Sequence, residues 1–167
     1  MRPVPVLSMA LAVAVLSSGC VVPPSPGVPM PAPGAVVPAD ARALRYGSSA
    51  PEIFNNPQIA GSIRALFGPD WNPGNIAFGA PAYFPGSSSL RLVRVGDQEW
   101  IALSGCVPSA CTTHPGLLLI RQDGGQLLAR LDEGGFSHYY AHGPDAAMVP
   151  RPLIDGAWET IRRLERR

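Results

Sequence analysis

The chain contains no lysine; all thirteen of its basic residues are arginine. This matches the codon usage of a GC-rich genome and carries no functional weight here. Charge is scarce: 15% of the 167 residues are charged, with a net charge of +1. A chain this close to neutral lacks the basic excess of a nucleic-acid binder, so no nucleic acid is expected as a partner. Cysteine is also scarce, at three residues, and an odd count in an exported protein needs an explanation. The sequence has no phosphate-binding glycine loop and no nucleophile elbow. What it has in excess is proline and glycine, at 20 and 18 residues. That is more than a fully folded chain of this length usually carries.

The N-terminus is read as an export signal over residues 1–19. Arg2 is the only charged side chain before Asp40. Val6 to Leu16 is an apolar run interrupted only by Ser8. It is far shorter than the roughly 20 residues that span a bilayer, and it fits a signal-peptide core. The run ends in Leu16-Ser17-Ser18-Gly19-Cys20. Small residues before a cysteine resemble the lipobox of bacterial lipoproteins. There the cysteine is lipidated and becomes the new N-terminus. Ser17 stands where that motif prefers leucine. The alternative is ordinary signal cleavage with Cys20 left as a free thiol. Val21 follows the cysteine where inner-membrane retention wants Asp, so the expected place is the outer membrane, facing the periplasm of a bacterial envelope.

Residues 20–38 are read as the lipidated cysteine and a tether. Positions 21–38 hold seven prolines and no charge. Each proline removes a backbone donor and fixes φ, so neither helix nor sheet is expected there. An extended spacer rises about 3.1 Å per residue.

Residues 39–167 are long enough to bury roughly two-thirds of their unfolded surface around one core. A helix is expected over Pro57–Phe67, capped by Asn56 and stopped by Gly68-Pro69. Ile59, Ile63, Leu66 and Phe67 share its inner face. Strands are expected over Ile76–Phe84, Ser89–Val95, Glu99–Ser104, Gly116–Arg121, Gln126–Leu131 and Phe136–His142. Gly-Asp and Asp-Gly-Gly turns separate several of them. A C-terminal helix is expected, capped by Asp155, with Trp158, Ile161 and Leu164 as its apolar stripe. Arg162, Arg163, Arg166 and Arg167 occupy its last turn, favourably for the helix dipole. The body is mildly acidic: residues 40–161 carry eight Arg against eleven Asp and Glu. The expected fold class is α+β, an antiparallel meander flanked by helices.

Cys106-Val107-Pro108-Ser109-Ala110-Cys111 lies between two strands. With Cys20 lipidated, the two loop cysteines remain as a pair. Two cysteines with four residues between them in an exported protein point to a disulfide. The alternative is a metal site built from both thiolates and His114, but the spacing departs from the usual ligand pairs. No cofactor and no metal is expected.

The segment from Gly96 to Cys111, GDQEWIALSGCVPSAC, resembles the inhibitor of vertebrate lysozyme (Ivy) family. That family shows a Gly-Asp turn, a strand ending in Ser, a Cys-x-Pro-x-x-Cys loop, then an apolar strand and a hairpin. The order of elements over residues 55–165 is also similar. The resemblance implies an Ivy-like α+β fold, an antiparallel five-stranded sheet flanked by helices, often as a homodimer, and inhibition of a lysozyme-type glycosidase or lytic transglycosylase. The implied inhibitory loop is Val107, Pro108, Ser109 and Ala110 with His114 near it. Family loops commonly read Cys-Lys-Pro-His-Asp-Cys. Here Val107, Ser109 and Ala110 replace the basic residue, the histidine and the acid. A glycosidase cleft holds two carboxylates, one of them protonated. A serine meets them with a neutral hydrogen bond, about half as strong as a charged one. The chain is therefore expected to be an inhibitor and not an enzyme, or else an envelope binding lipoprotein that keeps the scaffold without inhibiting.

Other candidates are thin. His138, Tyr140 and His142 share one face of a strand, either as a binding surface or as a half-exposed strand covering its neighbour. Asp132 and Glu133 read as solvated turn residues. His114 reads either as a contact beside the loop or as a solvent-exposed turn histidine.

Overall fold

The computed structural model describes residues 35–37, 41–95, 97–144 and 151–165. The export signal over 1–19, Cys20, most of the tether, Gly96, Arg166 and Arg167 lie outside the described residues.

The sheet is an antiparallel meander in which every strand pairs with its neighbours in sequence. Five strands form the expected body: β2 (Ser89–Val95), β3 (Gln98–Cys106), β4 (Pro115–Arg121), β5 (Leu127–Glu133) and β6 (Phe136–His142). A sixth, β1 (Ala35–Val37), pairs with β2 at Val36–Val93. It lies within the stretch expected to form no sheet. The seven tether prolines leave 34–37 free of proline, so these backbone donors remain available to an edge strand.

Helices cover both faces. On one face lie α1 (Ala50–Asn55) and α2 (Ala60–Phe67). Ile53, Phe54, Ile63, Leu66 and Phe67 pack there against Leu92, Ile101, Leu103, Leu118, Ile120 and Leu131. On the other lies α3 (Arg151–Glu165), whose Ile154, Ala157, Trp158 and Ile161 cover Val93, Trp100, Ala102, Leu117, Leu119 and Leu128. The central strand β4 is buried on both sides, which is why its sequence is an unbroken Leu-Leu-Leu-Ile run rather than an alternation.

The local chemistry corrects several expectations. α1 begins at a capping signal, Ser49-Ala50-Pro51-Glu52. Ser49 Oγ accepts the Glu52 N–H at 3.5 Å, and the Glu52 carboxylate accepts the Ser48 N–H at 2.7 Å. α2 starts three residues later than expected. Asn56 accepts the Gln58 N–H and donates to the Tyr46 carbonyl, so it organises the turn at 57–59 instead of capping the helix. The 76–84 segment is not a strand. Pro81 withholds a donor, and the chain there makes a 3₁₀ turn over Ala80–Tyr83 that places Tyr83 and Phe84 in the core. Room for this turn comes from Gly105 and Gly116, which face each other across β3 and β4. A Cβ at Gly116 would lie 2.9 Å from Tyr83 Cβ and 3.1 Å from Leu131 Cδ2. Asp155 lies inside α3 and does not cap it.

Arg130 is one of the residues that fasten α3 to the sheet. Arg130 donates from Nε and Nη2 to the Asp132 carboxylate at 2.8 and 3.0 Å, and from Nη1 to Asp155 at 2.8 Å. Its guanidinium carbon lies 4.3 Å from the Trp158 ring centroid. Tyr139 completes the group by donating its hydroxyl to Asp155 at 2.8 Å. Asp132, expected to be solvated, is thus held in an ion pair.

Candidate functional site

Cys106 and Cys111 form a disulfide with their Cα atoms 4.8 Å apart. The ring closes the connection between β3 and β4. Its backbone is held across the neck by Val107 N–H donating to the His114 carbonyl at 3.0 Å. A turn follows in which Ala110 N–H donates to the Val107 carbonyl at 2.9 Å and His114 N–H to the Ala110 carbonyl at 2.7 Å. The neighbouring β5–β6 hairpin adds a brace, with Gly134 N–H donating to the Thr113 carbonyl at 3.0 Å. Ser109 has φ of 67°, the left-handed region that non-glycine residues seldom occupy. The ring and its hydrogen bonds hold it there.

The loop side chains divide into two sets. Val107 is buried in the core on the α1–α2 face, and half-buried Ala110 packs against the same cluster. Pro108 and Ser109 are exposed at the tip, followed by exposed Cys111, Thr112 and Thr113. Of the four residues expected to form the inhibitory surface, the structure presents two outward and turns Val107 inward.

His114 sits at the base of the loop. It is half-buried, with its ring edge-on to Phe78 at 5.2 Å and Nδ1 2.8 Å from Thr113 Oγ1. It is neither a free turn histidine nor part of the tip. Beside it, Glu133 accepts the Ala77 N–H at 2.7 Å and lies 3.5 Å from His138 Nε2. Glu133 therefore ties the 72–79 segment to the hairpin and is not simply solvated. Tyr83 is buried below His114, and its hydroxyl is pushed up to about 12 by burial and by the charges of Glu133 and Asp132. Tyr140 packs edge-on against Phe67 at 5.1 Å and donates to Asp70 at 2.9 Å. Burial, with this bond, raises its pKa well above the usual tyrosine range. So Tyr140 closes the core, while His138 and His142 remain half-exposed beside it.

Two apolar side chains stand out near the tip. Phe136, at the β5–β6 turn, is 75% exposed, and Phe78 is 38% exposed. The sequence reading missed both. Phe136 follows Gly134-Gly135, and an aromatic beside two glycines in a hairpin is the signal that marks it.

Beside the disulfide a cleft of about 320 Å³ opens between the start of β2, the end of β3 and the last turn of α3. Among the described residues, no cluster of three or more His, Cys, Asp or Glu is placed to hold a metal ion. No helix among them is long and apolar enough to cross a membrane. Comparison with protein-family models, with curated proteins and with solved structures gives no match to this chain.

Proposed function

We propose that the chain is an envelope lipoprotein, anchored through Cys20, whose Cys106–Cys111 loop inhibits a peptidoglycan-cleaving glycosidase of the lysozyme or lytic-transglycosylase type. The observation that supports this reading is the shape of the loop. Its tip, Pro108-Ser109, is narrow and exposed, and it is braced by a disulfide and by four backbone hydrogen bonds. A rigid insert binds a cleft with little loss of conformational entropy. The Ser109 hydroxyl offers one hydrogen bond to the paired carboxylates of such a cleft. Exposed Phe136 and Phe78 beside it offer apolar contact for the rim of a partner. The reading gives the chain no catalytic role, a membrane association through the lipid, and a periplasm-facing outer-membrane location.

The test is inhibition of a lysozyme and of a lytic transglycosylase by the full chain, with Ser109→Asp as control. Dose-dependent inhibition that the control weakens is expected. Absence of inhibition of either enzyme at micromolar protein rejects the proposal. One observation favours a second reading, a non-inhibitory binding lipoprotein: the tip bears no charge, because its exposed residues, Pro108 and Ser109, are both neutral. That reading predicts inhibition by Ser109→His where the parent has none.

A further inference from the structure

We propose that the domain is held by its tether at one end of the sheet and presents its partner surface at the other, so that the Cys106–Cys111 loop faces away from the anchoring membrane. This deepens the reading above and rests on it for the anchor at Cys20 and for the partner.

The strand register defines two poles. At one, Ser89 pairs with Ser104, Gly105 with Gly116 and Glu133 with Phe136, so the disulfide loop and the β5–β6 turn lie at the same end. Gly134 N–H, donating to the Thr113 carbonyl, joins them. At the other pole Val95 pairs with Gln98 and Ile120 with Leu127, which brings the β2–β3 and β4–β5 turns together. Glu99 and Cys106 are seven residues apart on β3, about 23 Å of strand.

Two independent observations place the tether at the second pole. First, β1 runs antiparallel to β2, with Ala35 opposite Arg94 and Val37 opposite Leu92. The chain therefore enters the sheet from the Val95 end and runs toward the loop end. Second, the chain beyond β1 is fastened back at the end where it entered. Arg42 Nη1 donates to Glu99, Gln122 Nε2 donates to the Arg42 carbonyl at 3.3 Å, and the Tyr46 hydroxyl donates to the Gln122 carbonyl at 3.0 Å. Release of β1 would thus lengthen the tether without moving its attachment to the loop end. Fifteen Cα–Cα steps join Cys20 to Ala35, a covalent reach of at most about 50 Å whatever the path.

The two poles also differ in chemistry. The turns at 107–113 and 134–137 expose Pro108, Ser109, Thr112, Thr113, Phe136 and Ser137, none of them charged. The tether pole carries Arg42, Arg94, Glu99 and Asp123 in ion pairs. Uncharged turns lose water to a partner at lower cost than charged ones. The partner this geometry fits lies beyond the anchoring surface, in the space or the peptidoglycan past it, and is not embedded beside the lipid.

The test is amide NMR of the full, unlipidated chain with a nitroxide on Cys20, the one cysteine outside the Cys106–Cys111 disulfide. Amides of Gln98, Glu99 and Gly124 should lose more intensity than those of Ser109 and Phe136. Equal losses at the two poles, or a greater loss at the loop, overturn the proposal. Joining Cys20 to a maleimide lipid in nanodiscs with gadolinium-chelating headgroups should give the same order, and stronger broadening at the loop end would likewise overturn it. In the Ala35→Pro/Val36→Pro double variant one proline withdraws a donor from β2, because neighbouring residues of a strand point their N–H groups to opposite sides. Amide exchange within Leu92–Arg94 should then speed up while the order of broadening stays. Unchanged exchange, or broadening that moves to the loop end, overturns the proposed attachment. These readouts need no enzyme: failure of inhibition would sink the earlier reading and leave the intensities as they are.

Discussion

Replacing Arg130 by alanine is expected to loosen α3 from the sheet and lower the stability of the domain by about 2–3 kcal/mol. The figure follows from what the side chain holds. Its side chain is 16% exposed, paired in a fork with Asp132 and singly with Asp155, and stacked over Trp158. Breaking a fully buried pair costs about 3–5 kcal/mol, because the partner's charge is left uncompensated. Here Asp132 is 20% and Asp155 41% exposed, so water recovers part of that cost. The cation–π contact adds about 1 kcal/mol when partly desolvated. For a domain of this size, the Tm should fall by roughly 10 °C. Urea unfolding followed by tryptophan fluorescence is the assay, since Trp158 lies under the guanidinium and reports the contact directly. Arg130→Met separates the causes, because it keeps an apolar stem over Trp158 and removes the charge. Recovery of full stability in Arg130→Met would show that packing, not pairing, fastens α3. A loss below about 0.5 kcal/mol in Arg130→Ala, the range of ordinary surface changes, would refute the reasoning outright.

Reducing the Cys106–Cys111 disulfide should cost about 2 kcal/mol by loop-closure entropy, read as a fall in the urea midpoint. An unchanged midpoint would show that the hydrogen bonds across the neck hold the loop alone. Gly116→Ala should destabilise by about 1–3 kcal/mol, since its Cβ would press on Tyr83 and Leu131; a neutral effect would mean that the 3₁₀ turn yields. All four tyrosines, Tyr46, Tyr83, Tyr139 and Tyr140, have raised pKa values, chiefly from burial. Because the unfolded phenols ionise first, near pH 10, the stabilisation is complete below that pH and is lost as pH rises toward the folded value, about 12 for Tyr83. Tyrosinate absorbance should therefore rise together with alkaline unfolding, and a rise in the still-folded protein would contradict the burial. At the acid end, Glu52 and Asp123 are held low, first by hydrogen bonds from Ser48 and Arg121 respectively. Their contribution is present above the ordinary carboxylate range and is lost as pH falls through the lowered values, so Glu52→Gln should flatten the fall in Tm below about pH 4.5.

Much of the sheet was legible because its signals are local. Ser89–Val95 and Phe136–His142 are bounded by glycine-rich turns on at least one side, and their ends match the sequence reading. The Leu117–Ile120 run announced a strand buried on both faces. The errors fall where tertiary contacts override local pattern. Ile76–Phe84 has the apolar residues of a strand, yet Pro81 and the Gly105–Gly116 notch make it a turn docked on the core. Asn56 and Asp155 have the chemistry of caps, but the Asn56 oxygen accepts from Gln58 in the turn ahead of α2, and Asp155 accepts from Arg130 within α3. The capping signal at Ser49 to Glu52 was legible and was passed over in favour of the later Asn-Pro. Of the candidate loop, the cysteine pair was legible from spacing and the direction of each side chain was not, because direction depends on the register at which β3 delivers Cys106 to Pro115.

That register gives the loop residues unequal roles, and the difference can be tested at two positions. Val107 is 5% exposed and packs with the core, so its apolar character is required by the fold. Placing a lysine there would bury a charge without a partner or pull the neck of the loop apart, at a cost of several kcal/mol. Ser109 is exposed and already sits at positive φ, so a larger polar side chain there meets no core atom. Ser109→Asn should be neutral or slightly stabilising, because asparagine tolerates the left-handed region better than serine does. Ser109→Val should cost about 1 kcal/mol or more, since a β-branched side chain is strained there. Thermal unfolding of Val107→Lys, Ser109→Asn and Ser109→Val side by side gives the order. If Val107→Lys is as stable as the parent, the neck does not depend on the core. If Ser109→Val is as stable as Ser109→Asn, the tip relaxes freely. Either result removes the rigidity on which insertion of this loop into a partner's cleft depends.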